Sequence, residues 1–317
     1  MHLDLPAAPI FRSTAHVSRW DARDLQRRSH GTPSRPPELQ RLIRGAFTTV
    51  EAWATLSERQ RHVLLVLAAL PRLPGGAVVS HLSAAAVMGW PHAGSWPTKV
   101  HAHDPTRRRL DDNAHTVLHP VPPDMVTVAG TGGSVAMCLT SPAMTAAAVA
   151  RTLPFGHAVV MVDHALRSGC DRAEIARHVE SIGHRGAARG HRVVAFASPL
   201  AASPGESLTR ALLRTLGART PVLQQRFSGP EGQVAEVDFW FPSEGVIVEF
   251  DGEVKYRDPA MLRGRTPLQA VIDEKRREDW LRALPQVRGV VRLRWADLFR
   301  PDVVAMRLRA AGLSLPA

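Results

Sequence analysis

The chain of 317 residues is poor in cysteine, lysine and aromatic side chains, and it has no long apolar run. Its two cysteines, Cys138 and Cys170, are too few for a disulfide framework, and reduced thiols in a cytoplasmic protein are the expectation. No stretch of 18 or more apolar residues exists, so no membrane-spanning helix is expected. The opening MHLDLPAAPIFRST lacks a basic segment followed by an apolar one, so no secretory signal is expected. Lysine occurs only at 99, 255 and 275, and arginine carries almost all of the positive charge. Positive charge is not lacking: the net value is +11, with 22 Lys and Arg against 14 Asp and Glu in residues 1–200. A basic chain with one acidic region suits a polyanionic substrate together with a metal.

The acidic region is Val234 to Gly252, VAEVDFWFPSEGVIVEFDG. Alternation predicts two strands around Pro242-Ser243-Glu244-Gly245, because successive side chains of a strand point to opposite faces. If those four residues form the loop, Phe241 faces Val246, Phe239 faces Val248 and Val237 faces Phe250. All six apolar residues then share one face. The other face carries Glu236 opposite Asp251, Asp238 opposite Glu249, and Trp240 opposite Ile247. Like charges directly across a strand pair destabilise it. A hard divalent cation with oxygen ligands, Mg²⁺ or Mn²⁺, would relieve the repulsion, and Lys or Arg from elsewhere would do so in part; the competing reading is a solvated acidic face of the hairpin.

Around this hairpin the sequence reads as three segments: 1–55, 56–198 and 199–317. In the first, Ser18 to Ser29 and Pro36 to Ile43 are expected helices, followed by a basic turn at Arg44-Gly45 and a β segment from Ala46 to Val50. That is the outline of a small winged-helix unit whose Arg27, Arg28, Arg41 and Arg44 are candidate phosphate contacts. The second is expected to be α+β, with helices at 57–70, 78–90, 143–152, 157–167 and 172–182 and strands at 99–103, 116–121, 125–128 and 135–139. Its histidines at 101, 103, 115 and 119 have no zinc-type spacing, and His81 reads as a buried or capping residue. Residues 183–202 read as a basic link.

The third segment is expected to run helix, hairpin, helix, strand, helix, a compact α/β core with a mixed sheet. Its opening helix carries Glu206, which either completes a capping box with Ser203 or reaches an ion held by Asp238 and Glu249. Asp251, just before Gly252, is either a turn former or part of the acidic set. Lys255 and Lys275 are candidates to orient a water or to stabilise a developing phosphorane. Arg276 and Arg277 lie on a charged helix and either contact phosphate or form pairs on a solvated face.

EVDFWFPSEGVIVEFDGEVKY, with EKRREDWLRAL and VVRLRWADL, resembles the carboxy-terminal domain of an actinobacterial family related to Vsr-like endonucleases, within the PD-(D/E)XK nuclease fold. GAVVSHLSAAAVMGW, VAMCLTSPAMTAAAVAR and VVMVDHALRSG resemble AbiEi-like antitoxin proteins, which carry an amino-terminal winged helix matched here by RLIRGAFTTVEAW. The resemblance implies a metal-dependent DNA endonuclease with Asp238, Glu249 and Glu206 as metal ligands. Where the fold's pattern has Glu-X-Lys, this chain has Glu249-Phe250-Asp251, so Lys255 or Lys275 would take the lysine's place. The alternative it implies is a non-catalytic, antitoxin-type DNA-binding regulator with a degenerate nuclease domain.

Overall fold

The computed structural model describes residues 5–12, 22–30, 38–120, 127–132, 135–229, 232–252 and 267–316. The chain is mixed α/β and divides into two compact units: residues 1–153 with 168–195, and residues 154–167 with 196–317. Among the described residues no helix is long and apolar enough to cross a membrane.

The first unit contains a small antiparallel sheet in the order β1 (Phe11–Arg12), β3 (Ala46–Thr49), β2 (Leu39–Ile43), preceded in the chain by α1 (Ala22–His30) for the last two strands. The helix expected over Pro36 to Ile43 is therefore a strand over its described part. The reason lies in a register shift between Arg41 and Ile43, which lets both Leu42 and Ile43 turn inward with Leu39. Buried residues at 39, 42 and 43 mimic helical spacing, although the backbone is extended. Gly45, at φ 69°, makes the turn into β3, a conformation that favours glycine.

A six-stranded sheet follows, in the order β6 (Asp111–Asp112), β7 (Thr116–Pro120), β5 (Val100–Asp104), β4 (Val78–Val79), β9 (Val135–Thr140), β8 (Thr127–Gly132). Its β5–β7 and β4–β9 pairs are parallel. Helices α2 (Val50–Thr55), α3 (Glu58–Ala69), α4 (His81–Val87), α5 (Pro142–Thr152), α7 (Arg172–Ser181) and α8 (Ala187–Phe196) belong with these sheets; α6 (Phe155–Arg167) is part of the second unit. Ser57 caps α3 in a reciprocal capping box with Gln60. The link expected over 183–202 contains α8. Gly190 made this stretch look unhelical, yet it sits inside the helix: a Cβ there would lie 2.8 Å from Val179 Cγ1 and 2.9 Å from Arg151 Cγ. Glycine here is a packing device.

The second unit is built on a four-stranded sheet in the order β10 (Val222–Ser228), β11 (Val234–Phe241), β12 (Val246–Phe250), β13 (Gly289–Leu293). The first two pairings are antiparallel, whereas β12 and β13 are parallel. Parallel neighbours need a crossover, and α10 (Pro267–Ala283) lies within it. The unit also contains α9 (Pro204–Thr215) before the sheet and α11 (Trp295–Leu298) and α12 (Pro301–Ala310) after it. Strand β10 had no place in the sequence reading, because its Gln224-Gln225-Arg226 core is polar.

Helix α9 is anchored on α6 by a buried ion pair. Arg210 Nη2 lies 2.9 Å from both oxygens of Asp163, its Nη1 donates to the Phe196 carbonyl at 2.7 Å, and its guanidinium stands 4.1 Å from the Phe196 ring centre. Asp163 also accepts the Ser198 N–H at 2.7 Å. Such a network fixes the position of α9, and with it Glu206.

Candidate carboxylate site

The hairpin has the expected register at its turn end: Phe241 pairs with Val246, Trp240 with Ile247, and Phe239 with Val248. Gly245, at φ 70°, donates its N–H to the Phe241 carbonyl at 2.8 Å and closes the turn. The expected register stops there. Val237 packs with Trp240, Ile247, Phe227 and Leu281, so the six apolar residues do not share one face. The ladder gives way at Asp238, whose Oδ2 accepts the Phe250 N–H at 2.7 Å and stands in for a main-chain carbonyl. Across from it on β10, between the pairs Leu223–Phe239 and Gln225–Val237, Gln224 adopts φ 50°. A non-glycine residue in the left-handed region costs on the order of 1–3 kcal/mol and persists only where its surroundings enforce it.

Gln224 has a use for that conformation. Its side-chain amide donates to Glu206 Oε2 at 2.9 Å, and the same oxygen accepts the Ala202 N–H at 2.8 Å. Ser203 caps α9 by accepting the Glu206 N–H at 3.2 Å. Glu206 therefore reaches back beyond the helix start to Ala202, not to the Ser203 N–H of a capping box, while also being held by β10. Helix α9 lies on the Phe250 face of the sheet: a Cβ on Gly205 would come within 1.9 Å of Phe250 Cε1. Phe250 also meets Trp295 edge-on, with ring centres 5.2 Å apart.

Glu249 faces the other way, toward α10. Arg277 Nη2 donates to its Oε1 at 2.7 Å, and Arg292 Nη2 stands 3.5 Å from its Oε2. Arg277 also donates to the Glu236 carbonyl at 2.6 Å and to Glu274 at 3.1 Å, and Arg292 bonds Glu274 and pairs with Glu278. Burial alone would pull the Arg277 guanidinium down; its bonds to Glu249 outweigh that, and its pKa is raised. Glu249 is 8% exposed and its charge is answered by two arginines.

The carboxylates expected to share one ion are thus divided between the two faces. Glu206 sits beside Gln224, Asp238 lies in the plane of the sheet, and Glu249 lies under α10. Among the described residues, no three acidic ligand atoms lie within 4.8 Å of one another. Asp251, which follows Phe250, is half-buried, and its N–H donates to the Leu293 carbonyl at 2.8 Å. Glu236 is exposed. Lys255 lies outside the described residues. Lys275 and Arg276 are exposed on α10, whereas Arg277 is committed to Glu249.

In the first unit, Arg41 and Arg44 are exposed on the β2–β3 hairpin, and Arg28 pairs with Glu38. Arg27 lies on α1, and its side chain is outside the described residues. Two groups escaped the sequence reading. Gln224 was hidden in a polar strand. His81, His101 and His119 come together only through the fold, with one ligand atom of each within 4.8 Å of the others.

No family model matches the chain, and no solved structure matches it. It is 32% identical over 263 residues to "Uncharacterized protein MT2308" of Mycobacterium tuberculosis (strain CDC 1551 / Oshkosh), covering 78% of this chain and 94% of that protein. The same figures hold for "Uncharacterized protein Rv2248" of Mycobacterium tuberculosis (strain ATCC 25618 / H37Rv). With similarity at this level along nearly the whole of those relatives, the chain belongs to one family with these mycobacterial proteins.

Proposed function

We propose that the second unit is a metal-dependent DNA endonuclease core of the Vsr-like PD-(D/E)XK type and that the first unit, with its AbiEi-like winged-helix region, supplies affinity for DNA. The supporting architecture is a helix, three antiparallel strands, a crossover helix and a parallel fourth strand. The observation that carries the reading is Asp238 on the Phe250 N–H, at the point where the β11–β12 ladder ends and one residue before Asp251. Carboxylate oxygens there suit Mg²⁺ or Mn²⁺, since Mg²⁺ keeps several waters and takes only one or two protein carboxylates. Asp238 and Asp251 are assigned that role. Glu249, saturated by arginines, is assigned the structural one, and Glu206 with Gln224 flanks the site. Bound there, the ion would activate a water and neutralise charge on the phosphoryl group.

A second reading, a non-catalytic DNA-binding regulator of antitoxin type, is favoured by one observation: Glu206 and Glu249 each already hold internal hydrogen bonds. Incubation of supercoiled plasmid with Mg²⁺ or Mn²⁺ separates the two. The nuclease reading expects nicking or linearisation that disappears in Asp238→Asn and Asp251→Asn. The regulator reading expects no cleavage, together with metal-independent binding that weakens with salt and whose salt slope falls by roughly 0.9 for each phosphate-contacting arginine removed, Arg41 or Arg44.

A further inference from the structure

We propose that His81, His101 and His119 of the first unit form a binding site for a borderline divalent transition metal of the zinc class, with His103 next to it but outside the three whose ligand atoms lie within 4.8 Å of one another. The four residues arrive from separate places. His81 opens α4, His101 and His103 lie on the same face of β5, and His119 is the parallel partner of His103 on β7. Helix α4 is latched to β5 by Ser83, whose Oγ accepts the His101 N–H at 2.9 Å. One ligand nitrogen of His81, of His101 and of His119 lies within 4.8 Å of the other two.

Local geometry fits metal ligation. His101 Nδ1 and His119 Nε2 are hydrogen-bonded at 3.0 Å, and an ion would displace the proton they share. Two nitrogens bound tetrahedrally to zinc at ~2.0–2.1 Å stand about 3.3 Å apart, so a small ring movement admits the ion. The His81 ring stacks on His119 with centres 3.9 Å apart, and its Nδ1 is 2.9 Å from Ser80 Oγ, which leaves Nε2 for a metal. Such an outer hydrogen bond fixes the orientation of a ligating ring. His81 holds φ 53°, a strained conformation in a residue whose ring belongs to this cluster.

His103 adds a separate observation. Its Nδ1 lies 3.1 Å from the Pro120 carbonyl and must donate, so in the neutral ring Nε2 carries a lone pair. That nitrogen is buried without a hydrogen-bond partner, in a residue that is 0% exposed. Its ring centre lies 5.3 Å from that of His81 and 5.7 Å from that of His119. All four imidazoles are held toward the neutral form that metals require, chiefly by burial. An all-imidazole donor set suits zinc, copper, nickel or iron, not the oxygen-seeking Mg²⁺.

The test uses the untagged full-length protein, equilibrated with equimolar Zn²⁺, desalted and analysed for metal by mass spectrometry. One zinc per chain is expected, with at least a tenfold loss in His101→Gln/His119→Gln and a partial loss in His103→Gln. Co²⁺ loading of the wild type is expected to give the intense visible bands of a four-coordinate site. A double variant that retains a full equivalent of zinc overturns the proposal. Should that variant misfold by circular dichroism, competition on the wild type decides: surrender of all Zn²⁺ to a chromophoric chelator of micromolar affinity overturns the site, and retention supports it.

Discussion

The two units each gather titratable side chains, and they do so in opposite ways. In the second, acids are spread over two faces of a sheet, and Glu249, buried as deeply as Glu206, is neutralised by Arg277 and Arg292. In the first, imidazoles crowd one pocket without a carboxylate hydrogen-bonded to them among the described residues, and burial keeps them neutral, His101 at about 4 and His119 at about 3. Each cluster contains one of the two described non-glycine residues with positive φ, Gln224 and His81. Strain of this kind needs support from its surroundings. That both cases among the described residues fall within these clusters separates them from ordinary solvated charge, a distinction that charge counting cannot make.

The largest effect that would break this comparison is catalytic. Asp251→Asn and Asp238→Asn are expected to lower plasmid nicking by at least ~100-fold, about 2.7 kcal/mol in barrier. His119→Gln, in the other unit, is expected to leave nicking unchanged. Equal losses in all three would join the two clusters into one functional unit.

Next in size is the structural role of Glu249. Replacing it by alanine leaves Arg277 and Arg292 partly uncompensated. Loss of one partner from a buried pair costs ~3–5 kcal/mol, and these arginines are about a quarter exposed, so about 2–3 kcal/mol is expected in urea unfolding. A change within error would return Glu249 to the set of free acids.

Acid stability comes third, and the buried imidazoles of the first unit carry it, His62 on α3 together with His101 and His119. Burial lowers the His62 pKa to about 4 from 6.5. Between those values the unfolded chain binds the proton and the folded one does not, so stability is full above about 6.5 and falls as pH drops toward 4. The first unit should therefore lose stability on mild acidification, and His62→Gln should remove its own share of that slope and leave the share of His101 and His119. Thermal melts at stepped pH read it directly; a wild-type melt independent of pH in this window contradicts the expectation.

The smallest effect is local. Gln224→Gly removes the left-handed strain but also the bond to Glu206. A stability change within about 1 kcal/mol is expected, together with a marked loss of nicking. Nicking at the wild-type rate would make Gln224 a purely conformational feature.

How far the sequence revealed these features depended on whether a local pattern carried them. The turn end of the acidic hairpin was legible because period-two alternation and Gly245 specify it, whereas the register beyond Phe239–Val248 was not, because the Asp238 side chain takes the Phe250 N–H there. Helix α9 was legible from Ser203-Pro204 and its leucine spacing. Strand β2 was misread because a bulge turned Leu42 and Ile43 the same way, and α8 because Gly190 serves close packing rather than helix propensity. The partition of the acids was hidden since Glu249 meets its arginines on α10 and β13, elements remote in sequence. The histidine pocket was hidden for the same reason: spacing along one strand shows only His101 and His103, whereas the β5–β7 register and the approach of α4 bring in His119 and His81.

The central claim is that the acidic hairpin separates a functional pair of carboxylates from a structural one, and Mn²⁺ titration by calorimetry tests it most directly. Wild type and Glu249→Gln are predicted to bind Mn²⁺ with similar affinity, whereas Asp238→Asn, alone or with Asp251→Asn, is predicted to lose that binding. The titration is to be run with the histidine pocket already filled by Zn²⁺. Loss of binding in Glu249→Gln equal to that in Asp238→Asn, or no binding in the wild type, would contradict the account.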